Sequence, residues 1–167
     1  MTHGMPILRV RGVALIVSNP RREVLIIQEL QTKPHLGKYA GMFSPPMETS
    51  HKGEPDHSVI ARLIDEELPG LANFITVESE RRGVYRIVPR VWVSLYAGHI
   101  QDSLLPTPDE RSEEEIGGYT WMLPKDAITL WLRQGAREML SDYIKNKSGA
   151  VCRHCCPPAP LETSVPL

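Results

Sequence analysis

No apolar run in this chain is long enough to cross a membrane, neither sign of charge predominates, no internal repeat is visible, and no cysteine occurs before position 152. Each absence excludes something. The longest apolar run near the start, Val13 to Val17, follows Arg9 and Arg11 closely and falls far short of a signal h-region or a membrane span, so no membrane is expected as a partner. Lysine and arginine number 19 against 20 aspartates and glutamates, a net charge of −1. That leaves no global field to hold a nucleic-acid polymer, and none is expected as a partner. Cys152, Cys155 and Cys156 give the core no disulfide framework and fit a reducing compartment, which predicts a soluble, cytoplasmic protein. What remains is 167 residues, 41% of them apolar. This is one domain's worth of chain, expected to bury roughly 70% of its unfolded surface.

Residues 7 to 18 and Glu23 to Gln28 are β-rich runs separated by Asn19-Pro20, which predicts a hairpin. From Gln31 to Lys52 the chain is rich in proline, glycine, histidine and threonine without sustained periodicity, a long connection of the kind that carries function. Pro55 suits a first helical position, and Val59, Ile60, Leu63, Ile64 and Leu68 recur at helical spacing until Pro69-Gly70. Strands are predicted at Phe74 to Glu78, Gly83 to Val88 and Val91 to Ala97. An acidic loop from Gln101 to Glu115, a strand at Tyr119 to Leu123 and one or two helical pieces over 126–147 follow. This order predicts an α+β fold, an α/β/α sandwich with a mixed sheet packed between helices, over 1–147. Residues 148–167 read as a disordered or loosely docked tail.

Within the predicted helix, turning about 100° per residue from Ile60, Glu67 falls at about 340°, in the middle of the apolar stripe. Burying an ionised carboxylate without a partner costs several kcal/mol, so Glu67 must be neutralised, paired, or bound to a metal. Glu66 and Glu67 also occupy the last turn, where the helix dipole opposes negative charge. Two carboxylates placed against local preference point to a site. The bland alternative is that Glu66 pairs with Arg62 one turn back while Glu67 reaches solvent past the helix end.

The spacing around this pair decides the weighting. Glu54, seven residues, Arg62, then Ile64, Glu66-Glu67 and Gly70-Leu71 resembles the signature of the Nudix hydrolases (Gly, five residues, Glu, seven residues, Arg-Glu, an aliphatic, any residue, Glu-Glu, any residue, Gly, an aliphatic). The opening strands, Phe43, Pro46, Gly53-Glu54, Glu115-Ile116 and Trp121 to Pro124 extend the resemblance over roughly residues 7 to 146. The resemblance implies a Nudix-like fold that hydrolyses a diphosphate linkage in a nucleotide-like small molecule with Mg²⁺ or Mn²⁺. By position it implies Glu66 and Glu67 as catalytic metal ligands, Arg62 as the residue organising the carboxylates, Glu54 as the first signature glutamate, and Glu115 as an extra acidic residue from the later loop. A carboxylate-held divalent cation neutralises charge on phosphoryl oxygens and activates water.

The sequence departs from the pattern at its centre. Leu63 stands where the Arg-Glu pair supplies its glutamate, Met47-Glu48 stand in place of Gly-Gly, Pro69 replaces the last glycine, and Ser50-His51 replace an aliphatic-acidic pair. Glu48 is accordingly a candidate replacement metal ligand or base, with His51 a second. The alternative is a catalytically impaired Nudix-like module that binds a nucleotide or a protein. For substrate phosphates, Arg82, Arg86 and Arg90 are candidates, although a solvated sheet face explains them equally well; for a base, Tyr85, Trp92 and Tyr96 are candidates, although aromatic residues on strands are more often simply packing. Cys152, His154, Cys155 and Cys156 make a weaker candidate zinc cluster. A homodimer is expected from base rates alone.

Overall fold

The computed structural model describes residues 9–146. The tail and the Cys152, His154, Cys155 and Cys156 group lie outside them. Strands β1 (Val10–Ser18), β2 (Val24–Glu29), β3 (Phe43–Ser44), β4 (Met47–Thr49), β5 (Ile75–Val77), β6 (Gly83–Val88), β7 (Val91–Ile100) and β8 (Ile116–Met122) form one sheet. Its central path runs β3-β2-β1-β7-β5, with β4 against β1, β6 against β7 and β8 against β2. Helices α1 (Asp56–Glu67), α2 (Glu110–Glu115), α3 (Pro124–Ala127) and α4 (Ala136–Asn146) complete it.

The sheet is mixed because β1 runs parallel to β7, from Val10 opposite Val91 to Ser18 opposite His99, while every other pairing is antiparallel. A parallel centre with both faces covered explains the unbroken run Val13 to Val17, in which every residue is buried. Val13, Leu15 and Val17 pack with Val59, Ile60, Leu63, Ile64 and Leu68 of the α1 side. Ala14 and Ile16 pack with Ala136, Met139, Leu140 and Tyr143 of α4. The predicted sandwich is therefore the observed one. No helix among the described residues is long and apolar enough to cross a membrane.

Several local expectations are corrected. The opening hairpin closes at Ser18 opposite Val24 alone, because β4 takes the edge of β1 at Gly12, Val13 and Ala14 while β2 turns to β8. The connection read as irregular contains β3, β4 and a 3-10 turn at Pro34–Leu36. These are strands too short for periodicity to reveal. Pro55 caps α1 in an extended conformation, ψ 153°, instead of opening it. The acidic loop ends as α2, whose start is fixed by Asp109 accepting from the Ser112 N–H at 2.9 Å. Over 126–147 the two-piece alternative holds, the pieces being α3 and α4, with Gly135 at φ 85° before the second.

Candidate active site

Helix α1 buries the stripe Val59, Ile60, Leu63, Ile64 and Glu67, so its C-terminal turn brings Glu67 down onto the sheet beside β4. There Glu67 is 8% exposed and its Oε2 accepts from the Met47 N–H at 3.1 Å. Burial, then the charges of Glu29 and Glu48, push its carboxyl well above the ordinary 4.5, against the smaller pull of Lys38 and Arg133. Burial thus favours the neutral carboxyl over the ionised one at this position.

One turn back, Arg62 leaves the flank of α1 and gathers the other carboxylates. Its Nη2 donates to Glu54 Oε1 at 2.8 Å, and Nε donates to Glu54 Oε2 at 3.4 Å. Nη1 lies 3.0 Å from Glu48 Oε1 and 3.9 Å from Glu66 Oε2. Nη2 also donates to the Thr49 carbonyl at 2.6 Å, which ties α1 to β4 by side chain and backbone together. The Arg62 hydrogen bonds, helped by the His51 N–H, hold Glu54 down to about 2. Glu48 moves the other way: desolvation and the nearby Glu66 raise its carboxyl despite Arg62. Glu66 takes its closest partner from α2, where Arg111 Nη1 lies 2.9 Å from Glu66 Oε1.

Glu48, Glu54, Arg62, Glu66 and Glu67 are therefore brought together as expected. Glu115 makes no side-chain hydrogen bond or ion pair to them among the described residues. Its carbonyl accepts from the Leu30 N–H at 2.9 Å, and Arg111 is the α2 residue that reaches the cluster. Arg82, Arg86 and Arg90, on and around β6, lie elsewhere. Arg82 makes paired bonds to Glu78 at 3.0 and 3.2 Å and sits 5.4 Å over the Tyr143 ring. Arg86 is exposed, and Arg90 holds the β6–β7 turn at φ 74°. Tyr85 and Tyr96 are engaged by Asp142 at 2.8 Å and Asp56 at 2.6 Å, and Trp92 is half-buried on β7.

A group that the sequence analysis missed borders the cluster. Lys38 Nζ lies 2.8 Å from Glu29 Oε2 in a buried ion pair. Arg133 donates through Nη2 to the Leu36 carbonyl at 2.8 Å and lies 3.8 Å from Glu29 Oε1. Glu29 was findable: strand alternation puts it on the same face of β2 as Leu25, which packs in the α1-side core. Lys38 and Arg133, on connections without a period, carried no such signal.

Whether these side chains fit the divalent cation implied by the resemblance is a question of donor type and of placement. Carboxylate oxygen is the right donor for Mg²⁺ or Mn²⁺. The placement is wrong: three of the four cluster carboxylates converge on Arg62, and no group of three or more His, Cys, Asp or Glu side chains among the described residues is arranged to hold a metal ion. As they stand the residues do not fit the cation.

The fold is that of solved Nudix proteins. A MutT protein from Methanosarcina mazei superposes with a TM-score of 0.66 over 86% of this chain and 99% of its own, at 14% identity. An Ap4A hydrolase from C. elegans, solved as a binary complex, gives 0.65 over 84% and 99%, at 16% identity. The NUDIX domain of Shewanella oneidensis NrtR, solved with ADP ribose, gives 0.58 over 83% and 88%, at 12% identity. No protein-family model and no curated protein matches the sequence.

Proposed function

We propose that this protein is a Nudix-type hydrolase that cleaves a phosphoanhydride bond in a nucleotide-like small molecule at the carboxylate cluster between α1 and β4. The observation that carries the reading is the place of Glu48. The signature position that has lost its glutamate, Leu63, is fully buried in the core, and the position that has gained one puts Glu48 3.0 Å from Arg62. Relative to the signature, the carboxylate stands on the adjoining strand and not on the helix.

In this reading Glu48 is the base. A carboxylate raised by burial and a like neighbour is better matched to taking a proton near neutral pH than a free one. Water loses its proton to Glu48 and adds to one phosphorus as the bridging P–O bond breaks, leaving two phosphate products. Arg62 and Arg111 supply the positive charge facing the phosphoryl oxygens. Because the residues as placed do not fit Mg²⁺ or Mn²⁺, the cation is a variable of the test and no step depends on it.

The test is release of phosphate and pyrophosphate from nucleoside triphosphates, nucleotide sugars, NADH, dinucleoside polyphosphates and ADP ribose, with Mg²⁺, with Mn²⁺ and with chelator. The last two compounds are included because structural neighbours are an Ap4A hydrolase and an ADP-ribose complex. Turnover that falls about 100-fold or more in Glu48→Gln, with folding intact, is the expected result. Leu63 favours a second reading, a nucleotide-binding module without turnover. Binding of any panel compound with no product from all of them would establish that reading instead.

A further inference from the structure

The oxygens of the cluster are already engaged by this chain's own donors. Both oxygens of Glu54 accept from Arg62, and Oε1 also accepts from the His51 N–H at 2.9 Å. Glu66 is held from two sides, Oε1 lying 2.9 Å from Arg111 Nη1 and Oε2 3.9 Å from Arg62 Nη1. Glu48 Oε1 lies 3.0 Å from Arg62 Nη1 and accepts from the Thr49 N–H at 3.0 Å. Among these three side chains, Glu48 Oε2 alone has no hydrogen bond or ion pair to the described residues.

Arg62 is also fixed where it stands. It rises from α1, its Nη2 donates to the Thr49 carbonyl of β4 at 2.6 Å, and its side chain is only 21% exposed. A divalent cation such as Mg²⁺ takes carboxylate oxygens at about 2.0–2.1 Å in an octahedral arrangement. To gather these oxygens it must first displace a guanidinium that is covalently part of the helix, that bonds two carboxylate oxygens at once and that does not lose its proton. The bond to β4 breaks in the same step. Leu63 offers no oxygen in return, being fully buried in the α1-side core.

We infer that Arg62 stands in for the divalent cation that the resemblance implies: its guanidinium organises Glu48, Glu54 and Glu66, and the folded protein holds no Mg²⁺ or Mn²⁺ at this cluster until Arg62 is removed. This rests on the cluster being the site of the proposed function. It makes the positive charge at that site wholly the protein's own, supplied by Arg62 from α1 and Arg111 from α2.

The test is titration of the full chain with Mn²⁺ alone, followed by the electron paramagnetic resonance of the free ion and by calorimetry, with melting curves in Mg²⁺ and in chelator beside them. The parent is expected to leave the free-ion signal undiminished and to melt at the same temperature in both solutions, since a cation bound by the folded state alone would raise it. Arg62→Gln removes the charge but keeps an amide donor, and it is expected to bind Mn²⁺ about tenfold or more tightly than the parent and to melt higher in Mg²⁺ than in chelator. One Mn²⁺ bound by the parent and lost in Glu66→Gln overturns the inference. So does a folded Arg62→Gln protein that binds Mn²⁺ no better than the parent. Where Arg62→Gln fails to fold, the parent titration with its Glu66→Gln control decides by itself. Turnover of a panel compound by a parent that binds Mn²⁺ at the cluster ends this inference and leaves the hydrolase reading standing. A parent that binds no cation and turns nothing over does the reverse.

Discussion

Arg62 Nη1 and Glu48 Oε1 lie 3.0 Å apart, joining the flank of α1 to β4 through a residue that the Nudix signature reserves for glycine. Restoring that glycine tests what the carboxylate does. Glu48→Gly removes it from Arg62 but leaves Glu54, whose two oxygens still engage the guanidinium at 2.8 and 3.4 Å. The expected outcome is a fold that survives and a turnover that falls about 100-fold or more, read as kcat/KM on the preferred panel compound. Unchanged kcat/KM would show that the substitution at Glu48 is not a replacement for the glutamate missing at Leu63.

Much of this was legible in the sequence because two signals agreed. Helical spacing marked Glu67 as an inward residue, and the signature placed Glu54, Arg62 and Glu66 near it; burial and the Arg62 contacts bear out both. What escaped lay on segments with no period. Arg111 sat in a charge run that reads as solvated loop, and its reach to Glu66 depends on the Asp109 cap that starts α2. Lys38 and Arg133 are 95 positions apart and meet only because β3 pairs with the segment after α3. Long-range closure of this kind leaves no mark on local composition. Arg82, Arg86 and Arg90 read as a cluster because they share a strand region, yet Arg82 and Arg90 lie beyond the opposite ends of β6.

Leu63→Glu restores the signature glutamate, and the core decides its fate. Leu63 is fully buried among Val13, Leu15, Val59 and Ile64, so a carboxylate there has no solvent and no cation facing it from this cluster. The variant is expected to lose on the order of 3 kcal/mol of stability or more. Thermal denaturation checks this, with Leu63→Met as the volume-conserving control, expected to cost less than about 1.5 kcal/mol. A stable Leu63→Glu protein would mean that the C-terminal turn of α1 can rotate the position outward.

The two displaced carboxyls give opposite dependences on pH. Glu54 is held down to about 2 from 4.5, so its share of stability is present above 4.5 and is lost as pH falls from there toward 2. Glu67 is raised above 4.5, so the folded state binds its proton more tightly and the stability linked to it declines as pH rises above 4.5. In melting curves against pH, Glu54→Gln is expected to flatten the acid limb. Glu67→Gln, which mimics the protonated form, is expected to fold like the parent and to flatten the decline above 4.5. A Glu67→Gln profile that runs parallel to the parent would place the ionised form of Glu67 in the folded protein.

Gly12 separates the chemistry of Glu48 from the placement of its strand. It pairs with Thr49 of β4 on one side and Val93 of β7 on the other, and a Cβ there would come to 2.6 Å from the Glu48 carbonyl and 3.3 Å from Val93 Cγ1. The first contact is with backbone, so β4 must move if the side chain is to fit. Gly12→Ala is therefore expected to lower the melting temperature and kcat/KM together, because displacing β4 shifts both Glu48 and the Thr49 carbonyl held by Arg62 at 2.6 Å. Glu48→Gln, by contrast, keeps the strand where it is and should lower kcat/KM alone. If Gly12→Ala destabilises the protein while kcat/KM at low temperature stays at the parent value, the position of β4 does not control the reaction and Glu48 works only through its charge.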